Sequence, residues 1–316
     1  MPADYFLNPR CSGSCNVPPP IPDLPDQLVR AVADKNCVLF AGAGLSRGEV
    51  GAGNEAKEQY LPSWGELLNT LIERAVAIRH ISAAEGKKLK NAVKDRKYLF
   101  VAETIRSRLG AREFDDVFDD IFRNANLRPT KRHFLITQIP FSAVITTNYD
   151  KLLETSYASH GLIPPVYSYD NASDAISALS TGRFFILKAH GDIDRKDTII
   201  LSERDYREMT YRQPGYRAVL NTIFISKTVL FVGTSLNDTD VNLVLETVNE
   251  AFTGKSTRHF ALVPNGNMWS AETQHWRDFF GIQFLSYKPS KGHPEVEAFL
   301  EKLRDAVRQL AAVPAL

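Results

Sequence analysis

A chain of 316 residues can bury a sizeable core, as one large α/β domain or as one domain plus a smaller module. Its composition, 44% hydrophobic and 24% charged, is that of an ordinary soluble globular protein. A net charge of +1 supplies no basic excess for a dedicated nucleic-acid surface, although a local patch would fit it, so no sequence-specific nucleic-acid binding is expected; no apolar run is long enough to span a bilayer, and no membrane partner is expected.

Residues 1–25 (MPADYFLNPRCSGSCNVPPPIPDLP) are rich in proline, glycine and serine and read as a flexible tail, extended or ordered only by a partner. They lack the apolar stretch of a signal peptide, so a cytoplasmic location is expected. Cys11, Cys15 and Cys37 make neither a disulfide framework nor a four-cysteine zinc site, and no metal centre is expected.

From Asp26 to Ala33 the pattern predicts a short helix with Leu28, Val29 and Val32 on one face. A run of strand composition follows, Cys37-Val38-Leu39-Phe40-Ala41, and ends in Gly42-Ala43-Gly44-Leu45-Ser46. A buried parallel strand feeding a tight turn reads this way, because glycine allows backbone angles and close approaches that a side chain forbids. Such a turn presents backbone N–H groups to an anion, typically a nucleotide pyrophosphate. No nearby glycine completes G-x-G-x-x-G, so a purely structural turn is the competing reading.

Residues 47–60 are polar, contain glycine and lack a helical period; they read as a mobile loop, either a lid or a surface insertion. After Pro62, a helix carries Leu67, Leu68, Leu71, Ile72, Ala75 and Val76 at helical spacing. Residues 82–124 continue helical, with Phe114, Val117, Phe118, Ile121 and Phe122 as a core stripe. With no strand signal between Leu67 and Phe134, residues 66–135 or so are expected to form a helical module inserted into the sheet.

The next strand, Phe141–Ile145, runs into Thr146-Thr147-Asn148-Tyr149-Asp150, and a helix starts at Lys151. Arg183–Lys188 is a strand ending in Ala189-His190-Gly191. Thr228–Val232 ends in Gly233-Thr234-Ser235, and a helix follows with Asn237 or Asp238 as N-cap and Val241, Val244, Leu245, Val248 and Phe252 on one face. His259–Val263 ends in Pro264-Asn265-Gly266, and Ile282–Leu285 is the last strand. A final helix from Glu295 is expected to bury Val296, Phe299, Leu300, Leu303, Val307 and Leu310. The carboxyl ends of the strands in an open parallel sheet share one edge, so these polar ends gather into one crevice.

With these residues assembled, the chain resembles the sirtuin (SIR2) superfamily, and within it the bacterial SIR2-like branch. The resemblance spans roughly residues 36–263 and rests on Gly42-Ala43-Gly44-Leu45-Ser46, Leu61-Pro62-Ser63-Trp64, Thr147-Asn148-Tyr149-Asp150, His190-Gly191 and Gly233-Thr234-Ser235-Leu236. It implies an α/β fold, a Rossmann-like parallel sheet with the helical module inserted, that makes residues 26–316 one SIR2-like domain and binds NAD between the sheet and the smaller module. Sirtuin deacylases carry four zinc cysteines between the His-Gly and Gly-Thr-Ser elements; the span from His190 to Gly233 contains none, so no zinc is expected. Trp64-Gly65 stands where sirtuins have Phe-Arg. SIR2-like proteins sharing these departures are commonly NAD-consuming effectors of antiphage defence.

The implied activity is NAD+ glycohydrolysis, with a protein deacylase and a non-catalytic NAD or ADP-ribose sensor as alternatives. Breaking the nicotinamide–ribose bond builds positive charge on the ribose, as in glycoside hydrolysis. Nicotinamide leaves as a neutral ring, so no general acid is needed. Asn148 suits positioning of water or ribose, since its amide both donates and accepts. His190 suits the base, with a reference pKa near ~6.5. Asp150 either orients Asn148 or caps the following helix. Ser46, Thr234 and Ser235 are expected to bond phosphate or ribose oxygens. Gly42, Ala43, Gly44, Thr147 and Gly233 belong to the same cofactor wall, and Asn265 is a candidate for the adenine ribose. Effectors of this kind are held inactive until assembly or a partner releases them; a homo-oligomer is expected, with a separately encoded HerA-like ATPase as partner and an Argonaute-type protein as runner-up.

Overall fold

The computed structural model describes residues 20–50, 57–59, 61–234, 236, 245, 259–266 and 270–312. Its strands are β1 (Cys37–Ala41), β2 (Gly48–Val50), β3 (Lys57–Gln59), β4 (Ala143–Thr146), β5 (Val166–Ser168), β6 (Ile186–Lys188), β7 (Thr228–Val232), β8 (His259–Pro264) and β9 (Ile282–Tyr287). Seven of them form one sheet in the order β5-β6-β4-β1-β7-β8-β9, and every neighbouring pair runs parallel. This is a Rossmann-like α/β fold.

Apart from Thr146 and Thr228 the central strands are apolar because helices cover both faces of the sheet, and every residue of β1, β4 and β7 is buried. Alternation along each strand divides the core in two. Val38, Phe40, Ala143 and Ile145 face α8 (Ser173–Ser180) and α10 (Pro214–Ser226), whereas Cys37, Leu39, Ala41 and Val144 face α1 (Asp26–Ala33), α6 (Lys131–Thr137), α7 (Leu152–Ser159) and the helix Pro294–Ala312. From β1 the chain builds first toward β4 and later returns to place β7 on the other side of β1. Strand order therefore reverses beside β1, and a crevice opens there at the carboxyl ends.

Between β3 and β4 lie α2 (Trp64–Ala77), α3 (Ala83–Lys94), α4 (Tyr98–Leu109), α5 (Ala111–Phe122) and then α6. Ser63 starts α2 with a capping box, its own N–H donating to the Glu66 carboxylate at 2.7 Å. Ser82 caps α3 by accepting from the Glu85 N–H at 3.1 Å. The helical layer has its own core, including Leu71, Ile105 and Phe118, and Tyr149, Ile193, Ile199 and Leu201 join it. The loops that leave β4 and β6 are thus packed against the helices.

Some expectations change. The predicted helical run 82–124 is three helices, broken at residues 95–97 and at Gly110, whose φ is +83°. Inside the predicted loop 47–60, β2 and β3 pair as an antiparallel ribbon; residues 51–56 and 60 lie outside the described residues. The strand foreseen from Arg183 is only the three residues of β6. The last described helix buries Val296, Phe299, Leu300, Leu303 and Val307, but Leu310 is 38% exposed, as all of residues 308–312 are exposed. Residues 1–19, with Cys11 and Cys15, and the helix expected after Asn237 also lie outside the described residues, except for Leu245, which is buried. Among the described residues no helix is long and apolar enough to cross a membrane.

The start of α6 carries a pH-sensitive contact. His133, fully buried, accepts the Thr130 N–H on Nδ1 at 3.1 Å, which requires an unprotonated nitrogen. Burial, helped by the Arg132 charge, pushes its pKa down to about 3. The unfolded chain binds a proton near pH ~6.5 and the folded chain does not, so this contribution is complete above ~6.5 and is lost as pH falls toward 3. Stability is expected to drop in that window by up to ~1.4 kcal/mol per pH unit, and urea midpoints of His133→Gln, which keeps an acceptor without the titration, should show a shallower slope.

Candidate functional site

The site begins where β1 and β7 end. The ladder continues past both strands, with the Gly42 N–H donating to Val232 O at 3.0 Å and the Gly44 N–H to Gly233 O at 2.9 Å. The two chains meet backbone to backbone. A Cβ on Gly42 would lie 2.6 Å from Gly233 O, and one on Gly233 would lie 2.5 Å from Leu45 N. Gly233 also sits at φ +69°, a conformation side chains rarely adopt. These residues are glycines because the loops must touch, and the contact brings both turns to the same end of the crevice.

Behind the turn stands Arg132, with its side chain 2% exposed. Its guanidinium donates to Gly44 O at 2.9 Å, to Gly292 O, to His293 O at 3.0 Å and to Glu297 Oε1 at 3.3 Å. Burial lowers the guanidinium's pKa, and Glu297 opposes that shift. One planar fork thus fixes the glycine turn to the start of the last helix.

After β4 the chain places Asn148 beside the same turn. Its Nδ2 donates to Gly42 O at 3.2 Å and to Ser46 Oγ at 3.1 Å, and Ser46 Oγ in turn donates to Asp150 Oδ2 at 2.9 Å. Since a carbonyl oxygen can only accept, the Gly42 contact fixes which amide atom is nitrogen. Asp150 Oδ1 accepts from the Leu152 N–H at 3.0 Å at the start of α7, and Oδ2 accepts from Ser46 Oγ, which itself accepts from Asn148. The hydroxyl hydrogen of Ser46, expected to meet a ligand oxygen, is given to Asp150 instead.

The backbone of this loop rests on a buried cation. Lys188, the last residue of β6, is fully buried and donates to Asp150 O, to Tyr149 O at 3.3 Å and to Glu154 Oε1 at 3.2 Å. Asp192 lies 3.7 Å from it and also receives Lys151 Nζ at 2.9 Å. Burial alone would raise the Asp192 carboxyl, but Lys188, the Asp194 N–H and Lys151 outweigh it and hold its pKa below the ordinary value.

Two residues beyond Lys188 comes His190, 8% exposed. Its carbonyl accepts the Ile200 N–H at 2.9 Å, and Gly191 follows at φ +91°, where a Cβ would meet Thr198 O at 2.1 Å. The Tyr206 hydroxyl of α9 (Glu203–Arg212) lies 3.2 Å from His190 Nε2. The Tyr206 ring packs 6.2 Å from Trp64, which is 5.3 Å from Tyr98 at the start of α4.

All of this surrounds one cavity of about 1240 Å³, roomy enough for a dinucleotide. Gly42, Ala43, Gly44, Ser46, Thr147, Asn148, Asp150, His190, Gly233 and Thr234 all line it, so four strands that are contiguous in the sheet, β6, β4, β1 and β7, contribute their ends. Asn265 is exposed and does not line it; its neighbours Pro264 and Gly266 do, and its own N–H donates to Tyr287 O at 2.7 Å. Ser235 lies outside the described residues. Sequence reasoning does not single out Arg132, Lys188 or Tyr206, because the partners of each are distant in the chain. Among the described residues no cluster of His, Cys, Asp and Glu could hold a metal ion.

Residues 142–285 match the family model of the SIR2-like domain. That stretch is similar to the SIR2-like family. The chain is similar to an NAD(+) hydrolase ThsA of Acinetobacter baumannii (strain 532279), 28% identical over 239 residues, which are 75% of this chain and 44% of that protein. An NAD(+) hydrolase ThsA of Bacillus cereus (strain MSX-D12) is 26% identical over 240 residues, with the same two shares. Defense-associated sirtuin 2 of Bacillus subtilis is 27% identical over 228 residues, 71% of this chain and 20% of that protein. The chain spans less than half the length of these relatives.

Proposed function

We propose that the chain is an NAD+ glycohydrolase that yields nicotinamide and ADP-ribose. The observation that carries this reading is the fixed carboxamide of Asn148, held on Gly42 O and Ser46 Oγ in the cavity that His190 also lines. Both Asn148 N–H groups point at protein acceptors, so Oδ1 is the atom offered to a water or a ribose hydroxyl. The glycine turns and Thr234 take the pyrophosphate, and the nicotinamide ribose reaches Asn148 and His190.

Water adds to C1′ of the ribose as the C1′–N bond breaks. The bonding pair goes to the pyridinium nitrogen and neutralises it, and His190 takes the proton that the water sheds. ThsA relatives carry NAD(+) hydrolase in their names, which supports the same chemistry here. We place this NAD consumption in antiphage defence, released by self-assembly or by a separately encoded partner such as a HerA-like ATPase.

The test is incubation of the purified chain with NAD+, alone and with its co-expressed neighbours, with products resolved by mass spectrometry. Equimolar nicotinamide and ADP-ribose are expected. Acetyl-ADP-ribose formed only with an acetylated peptide would assign a deacylase, and tight binding without turnover would assign a sensor.

A further inference from the structure

We propose that Tyr206 is a positioning residue for His190, fixing the imidazole through its hydroxyl and tying it to the helical layer. The inference rests on the reading of His190 as the proton acceptor. A base must present a ring nitrogen in a set direction, and its tautomer is set by the hydrogen bond its other nitrogen makes. In this chain the Tyr206 hydroxyl lies 3.2 Å from Nε2, with the two rings edge to face at 5.4 Å and 78°. Both residues are buried and both line the cavity.

Tyr206 is itself held firmly. It lies in the first turns of α9, whose capping box joins Ser202 and Asp205, and Asp205 Oδ2 also receives Arg106 of α4 at 2.5 Å. The ring contact to Trp64 continues into α2, and Trp64 contacts Tyr98 of α4. His190 is therefore oriented by the same layer of helices that closes the cavity opposite the sheet. A displacement of α2 against the sheet would reach the imidazole through Trp64 and Tyr206.

Tyr206→Phe keeps the ring and its contact with Trp64 and removes only the hydroxyl. The variant is expected to melt within a few degrees of the wild type. Its kcat should fall by about 10-fold, part of the 10²–10⁴ that a general base supplies, with KM for NAD+ changed less than twofold. Independently of turnover, ¹⁵N-histidine spectra, with the His190 signals assigned through His190→Gln, should show the wild-type ring in one tautomer and Tyr206→Phe as a mixture. Unchanged His190 nitrogen shifts in Tyr206→Phe overturn the proposal even if the wild type cleaves NAD+. If the shifts change while neither protein cleaves NAD+, the positioning contact stands and the glycohydrolase reading falls. An unchanged kcat in a wild type that does cleave NAD+ also overturns the proposal.

Discussion

Alanine at position 148 or 190 is expected to lower NAD+ turnover by about 10²–10⁴-fold, with little loss of folding stability for His190→Ala. The two losses have different origins. His190→Ala removes the proton acceptor and leaves the glycine junction untouched. Asn148→Ala removes the positioned carbonyl oxygen and also leaves Gly42 O and Ser46 Oγ without the amide they contact. Asn148→Asp separates these effects. It has the same shape but no donor, and it sets a carboxylate against Gly42 O and close to Asp150. It should be at least as inactive as Asn148→Ala and less stable. Steady-state assays with thermal melts of all three variants check this, and Asn148→Asp with wild-type turnover would remove Asn148 from the mechanism.

Arg132→Ala is expected to cost about 3–5 kcal/mol of stability in urea unfolding. The reason is the number of half-buried groups that a single buried guanidinium serves: Gly44 O, Gly292 O, His293 O and the Glu297 carboxylate. Truncation takes a donor from Gly44 O, Gly292 O and His293 O, of which the last still accepts the Val296 N–H, and removes the cation beside Glu297. Arg132→Lys keeps the charge but cannot fork to acceptors on two chain segments, so an intermediate loss is expected. Because one of the four bonds holds the glycine turn, folded Arg132→Lys should also show a raised KM for NAD+. A loss below about 1 kcal/mol for Arg132→Ala would mean that the fork adds little to the fold.

The sequence made the sheet legible because its central strands are buried on both faces and so read as unbroken apolar runs, each ending in residues no strand needs. Val38–Ala41 before Gly42 and Thr228–Val232 before Gly233 are of this kind. Edge elements were harder. Three-residue β5 is too short to show a period, and α9 (ERDYREMTYR) turns only Tyr206 and Met209 inward, so its charged residues mask its stripe. Arg132, Lys188 and Tyr206 had no signal, since their partners stand up to 165 residues away and a buried cation looks in sequence like a solvated one. Ser46 shows the opposite case, a residue correctly placed at the cavity whose hydrogen serves Asp150.

The most direct measurement is a crystal structure of His190→Ala soaked with NAD+. The pyrophosphate is expected against residues 42–44 and Gly233, with C1′ of the nicotinamide ribose beside Asn148 Oδ1 and the emptied position 190. NAD+ bound elsewhere on the chain, or lying in the cavity with its nicotinamide end away from Asn148, would contradict it.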